Sequence, residues 1–466
     1  MLHVSTRGEA PAIGFTDALL AGLARDGGLY VPQAWPQIPA ADIAAMAGQS
    51  YAAVARRVIG ALTDGEIPDG ILGAMIDDAY AVFRHAAVCP LVQIADNIFV
   101  LELFHGPTLA FKDVAMQLLG RLMNHALRQR GQRAVIVGAT SGDTGSAAIE
   151  AFRGLDQVDV FILYPHGRVS EVQRRQMTGV DAPNVHAIAI EGTFDDCQAI
   201  VKALFNDHRF RDEMALSGVN SINWARIAAQ TVYYFTSAVA LGAPHRPVAF
   251  SVPTGNFGDI LAGDIARRMG LTVANLAIAT NANDILARTL ATGRYEKRGV
   301  TPTSSPSMDI EVSSNFERLL FEACGRDAAR VRALMASLAQ SGSFSLEPEP
   351  LAAIRAGFTA HAVDEAATRD EIARVWRETG YVIDPHTAVA VRGARAEVAA
   401  RPATPVIALS TAHPAKFPDA VEKATGVRPA LPPHLADLFG RRERFTVMAS
   451  DQAAVADFIR AHASRR

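Results

Sequence analysis

From Leu91 onward the chain alternates short apolar runs with amphipathic ones, and two of the apolar runs lead directly into glycine-rich loops. Ala134–Ala139 is followed by Thr140-Ser141-Gly142-Asp143-Thr144-Gly145-Ser146 and the helix-like Ala147–Ala151. Val248–Val252 is followed by Pro253-Thr254-Gly255-Asn256-Phe257-Gly258-Asp259 and the helix-like Ile260–Gly263. Unbroken apolar strands joined through helices are buried on both faces, which predicts βαβ units and a mostly parallel α/β architecture. Phe99–Leu103, Asp159–Tyr164, Val185–Ile190, Thr272–Thr280 and Val406–Ser410 read as further strands. Gly299–Ser314, rich in Pro, Ser and Thr, reads as a long loop of the kind that forms lids or binding loops. A helix-like tail, Gln452–Ala463, is expected to dock on the surface. Before about Phe83 the pattern is helical, with Phe15–Arg25 and Ala40–Ile59 as segments and no strand-loop-helix unit.

A strand-loop-helix junction of this kind turns backbone N–H groups and the positive end of a helix dipole toward one point, which suits a phosphate or carboxylate. Neither loop carries G-x-x-x-x-G-K-[ST] or G-x-G-x-x-G, so the common nucleotide codes are absent. A third stretch, Phe104-His105-Gly106-Pro107-Thr108-Leu109-Ala110-Phe111-Lys112-Asp113, places a lysine after three apolar residues. An ammonium held there loses hydration, its pKa falls, and the free amine becomes available to attack a carbonyl. The plain alternative is that Phe111 packs while Lys112 points to water.

With 466 residues, 49% hydrophobic and 20% charged, the chain has core material for two or three domains. Forty-five basic against forty-eight acidic side chains leave a net charge of −3, and no basic run suggests nucleic acid or anionic lipid as a partner. Cys89, Cys197 and Cys324 are too few and too scattered for a disulfide framework. The thirteen histidines include no H-E-x-x-H, so no catalytic metal is expected. No membrane-length apolar run and no signal-like start are visible, and the expected location is the cytoplasm.

The runs His105–Asp113, Ser141–Gly145, Gly255–Asp259 and Ser410-Thr411-Ala412-His413-Pro414, in this order and spacing, resemble the threonine synthase family, as do Ser5–Gly8 and Gly22–Tyr30 near the start. The resemblance implies pyridoxal-phosphate (PLP) enzyme fold type II, the tryptophan-synthase-β-like fold. It would comprise two open parallel-sheet domains and an N-terminal helical domain. Residues 1–90 would form the helical domain and 91–466 the catalytic region, with 118–220 as a smaller mobile α/β domain. The implied reaction converts O-phospho-L-homoserine and water to L-threonine and phosphate by γ-elimination and β-addition. Two alternatives stay open: a phospho-lyase releasing 2-oxobutyrate, ammonia and phosphate, and a non-catalytic sensor of PLP or phosphoamino acids. The protein would be a monomer or homodimer.

The same resemblance implies the residue roles. Lys112 would carry the cofactor and act as general base; Gly255, Asn256, Phe257, Gly258 and Asp259 would hold its phosphate, with the Asp259 side chain turned away from the dianion. Thr411 would meet the pyridine nitrogen. Asp143, where much of the wider fold has asparagine, would meet the phenolic oxygen in an unassigned protonation state. Thr140, Ser141 and Thr144 would cradle the substrate carboxylate. Asn220, Ser221 and Arg226, helped by Thr144, would bind the substrate phosphate. His105, His413 and Lys416 are expected as neighbours of the same pocket, without assigned roles.

Overall fold

The computed structural model describes residues 1–464. Two open sheets organise it. The larger has six strands in the order Phe358–Ala362, Val273–Thr280, Val248–Pro253, Val406–Ser410, Ile98–Glu102, Leu91–Ala95. All neighbours are parallel except the last pair, which is antiparallel. The smaller has five parallel strands in the order Thr446–Ala449, Val185–Glu191, Val158–Pro165, Ala134–Ala139, Leu216–Ser217. The expected strands are present within a residue or two.

The smaller sheet is not confined to residues 118–220. Its edge strand comes from 446–449, and the helix Gln452–His462 sets Val455 and Ile459 into the core beside Phe161, Ile188 and Ile190. The tail therefore closes the apolar face of this sheet rather than resting on an outer surface.

The N-terminal region is helical but also holds two short antiparallel strands, His3–Ser5 and Tyr30–Pro32. The stretch expected as one helix over Ala40–Ile59 is two, Ala40–Ala44 and Tyr51–Thr63. Gly48 takes φ 73°, outside the helical region, and the Ser50 side chain caps the second helix by accepting from the Ala53 N–H. Val54, Val58, Ile59 and Leu62 from this helix share one core with the helices Lys112–Gln129 and Trp224–Ala240. The Trp224–Ala240 helix is buried around nearly its whole circumference, in keeping with a largely apolar sequence whose polar members, such as Arg226 and Gln230, are buried too. It packs directly against the glycine-loop helix Gly258–Arg268 and against Lys112–Gln129, and the latter carries the other glycine-loop helix, Asp143–Phe152. No helix among the described residues is long and apolar enough to cross a membrane.

Candidate active site

The path to Lys112 is fixed by a short antiparallel clasp after the strand Ile98–Glu102. Ala110 bridges to Ala412, the Phe111 N–H donates to the Thr411 carbonyl at 2.8 Å, and the His413 N–H donates to the Leu109 carbonyl at 3.0 Å. Asp113 folds back on the turn, accepting from the Thr108 N–H and hydroxyl at 2.7 Å each. A Cβ on Gly106 would lie 2.5 Å from Asp113 Cβ, so only glycine permits this closure. The clasp places Lys112 first in the helix Lys112–Gln129, 8% exposed, with Nζ 3.4 Å from both Asp143 Oδ2 and Ser307 Oγ. The alternative in which Lys112 points to water does not hold. Burial lowers its pKa; Lys416 and Arg226 lower it further while the Asp143 charge opposes them.

Asp143 lies between two lysines. Lys416, fully buried, approaches Asp143 Oδ1 at 2.8 Å and donates to the Thr108 carbonyl at 2.8 Å. Gln173 donates to Oδ1 at 2.9 Å and the Ser307 hydroxyl to Oδ2 at 3.0 Å. Burial alone would raise the Asp143 pKa, but the charges of Lys416 and Lys112 and the bonds from Lys416 and Gln173 hold it well below the usual carboxylate range. The two lysines therefore favour its carboxylate form. Gly142, at φ 140°, makes the arrangement possible: a Cβ there would fall 2.3 Å from the Gln173 carboxamide carbon.

Ser307 is a site residue that sequence reasoning missed. It comes from the long loop, in the short 3-10 turn Pro306–Met308. Its N–H donates to His386 Nε2 at 3.2 Å, and His386 Nδ1 is tied to Asp384 Oδ2 at 2.6 Å. Asp309 pins the loop by accepting from Asn281 at 2.8 Å and Asn283 at 2.9 Å. The only sequence signal was the length and composition of the loop.

In the segment Gly255–Asp259 the backbone turns at Phe257, φ 64°, and the helix Gly258–Arg268 begins. The N–H groups of Asn256, Phe257, Gly258 and Asp259 donate to no acceptor among the described residues. A Cβ on Gly255 would sit 3.1 Å from Met308 Cα and 3.2 Å from the Ser307 carbonyl, so the loop lies close under Ser307. Two of the three side chains in this segment point elsewhere. Phe257 is in the core against Phe316 and Phe358. Asp259 accepts from Tyr233 at 2.5 Å and Tyr234 at 2.9 Å, away from the amides, so only its backbone belongs to the cradle.

Burial raises the Asp259 pKa to about 6 from 3.8 despite the two tyrosine hydrogen bonds. Its folded pKa lies above its unfolded one, so its contribution to stability is complete below about pH 4 and is lost as pH rises through about 6. The Asp259→Asn variant is expected to lose less stability than wild type between pH 4 and pH 7, by up to ~3 kcal/mol, in urea denaturation. Equal losses in the two proteins would show that Asp259 is not held protonated.

Arg226 is 3% exposed on the first turn of the Trp224–Ala240 helix. Nη1 donates to the Val219 carbonyl at 2.8 Å, while Nε has no partner. Burial lowers its pKa to about 10, which leaves a cation at neutral pH. Asn220 is exposed and Ser221 half-buried at the same bend. In the other loop the Thr140 hydroxyl accepts from the N–H groups of Gly142 and Gly145 at 2.9 Å each and so shapes the loop, leaving Ser141 exposed and Thr144 half-buried. Thr411 is 6% exposed directly after Val406–Ser410.

The three expected neighbours separate. Lys416 is inside the site. His105 and His413 instead line an adjoining cleft of about 490 Å³ with Tyr381 and His434, a cleft that Lys112 and Arg226 do not line. There His105 Nε2 meets Glu102 at 2.7 Å, and burial lowers His413 to about 4 while its Nδ1 accepts from the Ala415 N–H.

A buried amine of lowered pKa, a ring of unpartnered amides at a helix N-terminus and a buried hydroxyl after a neighbouring strand fit pyridoxal phosphate: aldehyde, phosphate and ring each find a matching group. Fold and site together define a pyridoxal-phosphate-dependent enzyme of fold type II, and residues 87–411 match the family model described as pyridoxal-phosphate dependent enzyme. Residues 2–80 match the threonine synthase N terminus, and 387–459 the threonine synthase C-terminal model. The chain is 55% identical over 466 residues to the threonine synthase of Pseudomonas aeruginosa, covering 100% of this chain and 99% of that protein. Its structure is similar to PLP-bound threonine synthase from Brucella melitensis, with TM-score 0.98, 60% identity and 100% of both chains covered. It is also similar to threonine synthase from yeast, with TM-score 0.94, 40% identity and 99% and 98% covered. The chain belongs to the threonine synthase family.

Proposed function

We propose that this enzyme converts O-phospho-L-homoserine and water to L-threonine and phosphate, with Lys112 as the proton carrier and Arg226 as the centre of the substrate-phosphate site. The observation that carries the reading is the buried, carboxylate-free guanidinium of Arg226, close enough to Lys112 for its charge to lower the amine's pKa. A cation that has lost its hydration without an ion pair is a site for an incoming anion.

When bound, the cofactor supplies the electron sink that makes Cα–H and Cβ–H removable. Lys112 takes these protons as a neutral amine, since its burial disfavours the ammonium form. The bond from Cγ to the phosphate oxygen breaks, the phosphate leaves against Arg226, and a proton returns to Cγ to make the methyl group. Hydroxide from water joins Cβ; the two protons taken from Cα and Cβ are returned at Cα and Cγ, and the proton left from water ends on the departing phosphate. Asp143, held between Lys112 and Lys416, would be the residue to meet the cofactor's phenolic oxygen, and its negative charge would favour a proton there. Thr411, as a neutral partner, would not hold the ring nitrogen protonated as a carboxylate would. Ser141, Thr144 and the amides of their loop orient the substrate carboxylate, and Asn220 and Ser221 complete the phosphate site beside Arg226.

Product analysis tests the reading. Holoenzyme with O-phospho-L-homoserine is expected to give threonine and phosphate in equal amounts. Release of 2-oxobutyrate and ammonia would establish the phospho-lyase instead, and a spectral change without turnover would establish the sensor.

A further inference from the structure

The two anion loops are joined by one buried carboxamide. Asn315 is fully buried, and its Nδ2 donates to the Ser221 carbonyl at 3.1 Å and to the Asn256 carbonyl at 3.1 Å. Its backbone N–H donates to the same Asn256 carbonyl at 3.0 Å. Its Oδ1 accepts from Arg318 Nη1. Arg318 is 1% exposed, and its other nitrogens also go to neutral acceptors, Nη2 to the Ile222 carbonyl at 2.7 Å and Nε to the Tyr30 carbonyl at 3.0 Å. The loops are in close register here: a Cβ on Gly258 would lie 3.4 Å from Asn315 Nδ2 and 3.8 Å from the Ser221 carbonyl.

We propose that Asn315, oriented by Arg318, is a positioning residue that couples the two anion sites, so that a phosphate held at Asn220–Arg226 tightens the grip of Gly255–Asp259 on the cofactor phosphate. This rests on the anion assignments above. Carbonyls of both loops are tied to one side chain, which leaves the N–H groups of Asn256 to Asp259 free to face an anion. Ordering one loop therefore removes freedom from the other, and the coupling acts equally in both directions. Asparagine suits the place because one planar group offers two donors and one acceptor. Alanine takes the Nδ2 donor from the Ser221 carbonyl and leaves the Asn256 carbonyl only the backbone N–H, and aspartate of the same size turns the donors into acceptors facing carbonyl oxygens. A guanidinium buried with no direct ion pair, only the charge of the neighbouring Glu317 acting on it, adds positive potential to both loops, an arrangement that burial makes costly for stability alone.

The test uses wild-type, Asn315→Ala and Asn315→Asp holoenzymes with inorganic phosphate as the probe, since the bound cofactor already fills its own phosphate site. Two quantities are read: the inhibition constant of phosphate, and the rate of cofactor loss after dilution, followed by visible absorbance with and without phosphate. In wild type, phosphate is expected to slow cofactor loss about five-fold or more. In either variant the inhibition constant should rise about ten-fold, and the effect of phosphate on cofactor loss should vanish. If Asn315→Ala does not fold, the isosteric Asn315→Asp carries the comparison. A variant with lowered Tm that keeps the wild-type inhibition constant and retention response overturns the coupling and leaves Asn315 a structural residue. If phosphate neither inhibits wild type nor slows its cofactor loss, the Arg226 assignment falls and takes the coupling with it.

Discussion

Lys112→Ala is expected to lower turnover by about four orders of magnitude or more and to remove the visible absorbance of the lysine-bound cofactor. The amine combines two properties that no substitute supplies: a nucleophilic nitrogen for the cofactor aldehyde, and a base whose pKa burial has lowered toward the working range. Arginine should fail equally, because its guanidinium remains charged and cannot make the bond. Lys416 cannot take over, since its Nζ is committed to Asp143 and the Thr108 carbonyl. Steady-state assays and absorbance spectra of the purified variant check this. Near-wild-type activity without an added amine would overturn the assignment of Lys112.

Arg226→Ala is expected to lower kcat/KM for the phosphosubstrate by roughly ten- to a hundredfold, the equivalent of about 1.5–3 kcal/mol for hydrogen bonds to a charged group. Competitive inhibition by phosphate should weaken in parallel, while cofactor loading stays as in wild type. Stability should move differently. Arg226 is buried with one carbonyl partner and an unpartnered Nε, so Arg226→Met is expected to leave the Tm of the ligand-free protein unchanged or raised. The two measurements separate a binding role from a structural one. If Arg226→Ala lost the cofactor and kept phosphate inhibition, the two anion sites would have to be exchanged, with Gly255–Asp259 becoming the candidate for the substrate phosphate.

Much of this architecture is legible one segment at a time. Strand periodicity, the two glycine loops and the apolar approach to Lys112 are local patterns, and local sterics act on neighbouring residues, so the parallel sheets and the burial of Lys112 agree with what the residues alone predict. The family motifs added the cofactor and the reaction. Where the reading stopped short, as at the break after Ala44 and the strands His3–Ser5 and Tyr30–Pro32, the elements are short and depend on a cap or a distant partner.

By itself, then, the sequence determined most of the segments that become strand, loop and helix, and which lysine follows an apolar run. Tertiary structure alone decided which side chains face that amine, because contacts between residues far apart in the chain depend on the direction in which each helix leaves its strand. The carboxylate form of Asp143 is favoured because Lys416 and Gln173 are brought to it from other segments. Asp259 points away from the cradle because the Trp224–Ala240 helix presents two tyrosines beneath it. His105 and His413, near site residues in sequence, line another cleft. Burial and charge compensation are properties of the packed whole, and no spacing along the chain encodes them.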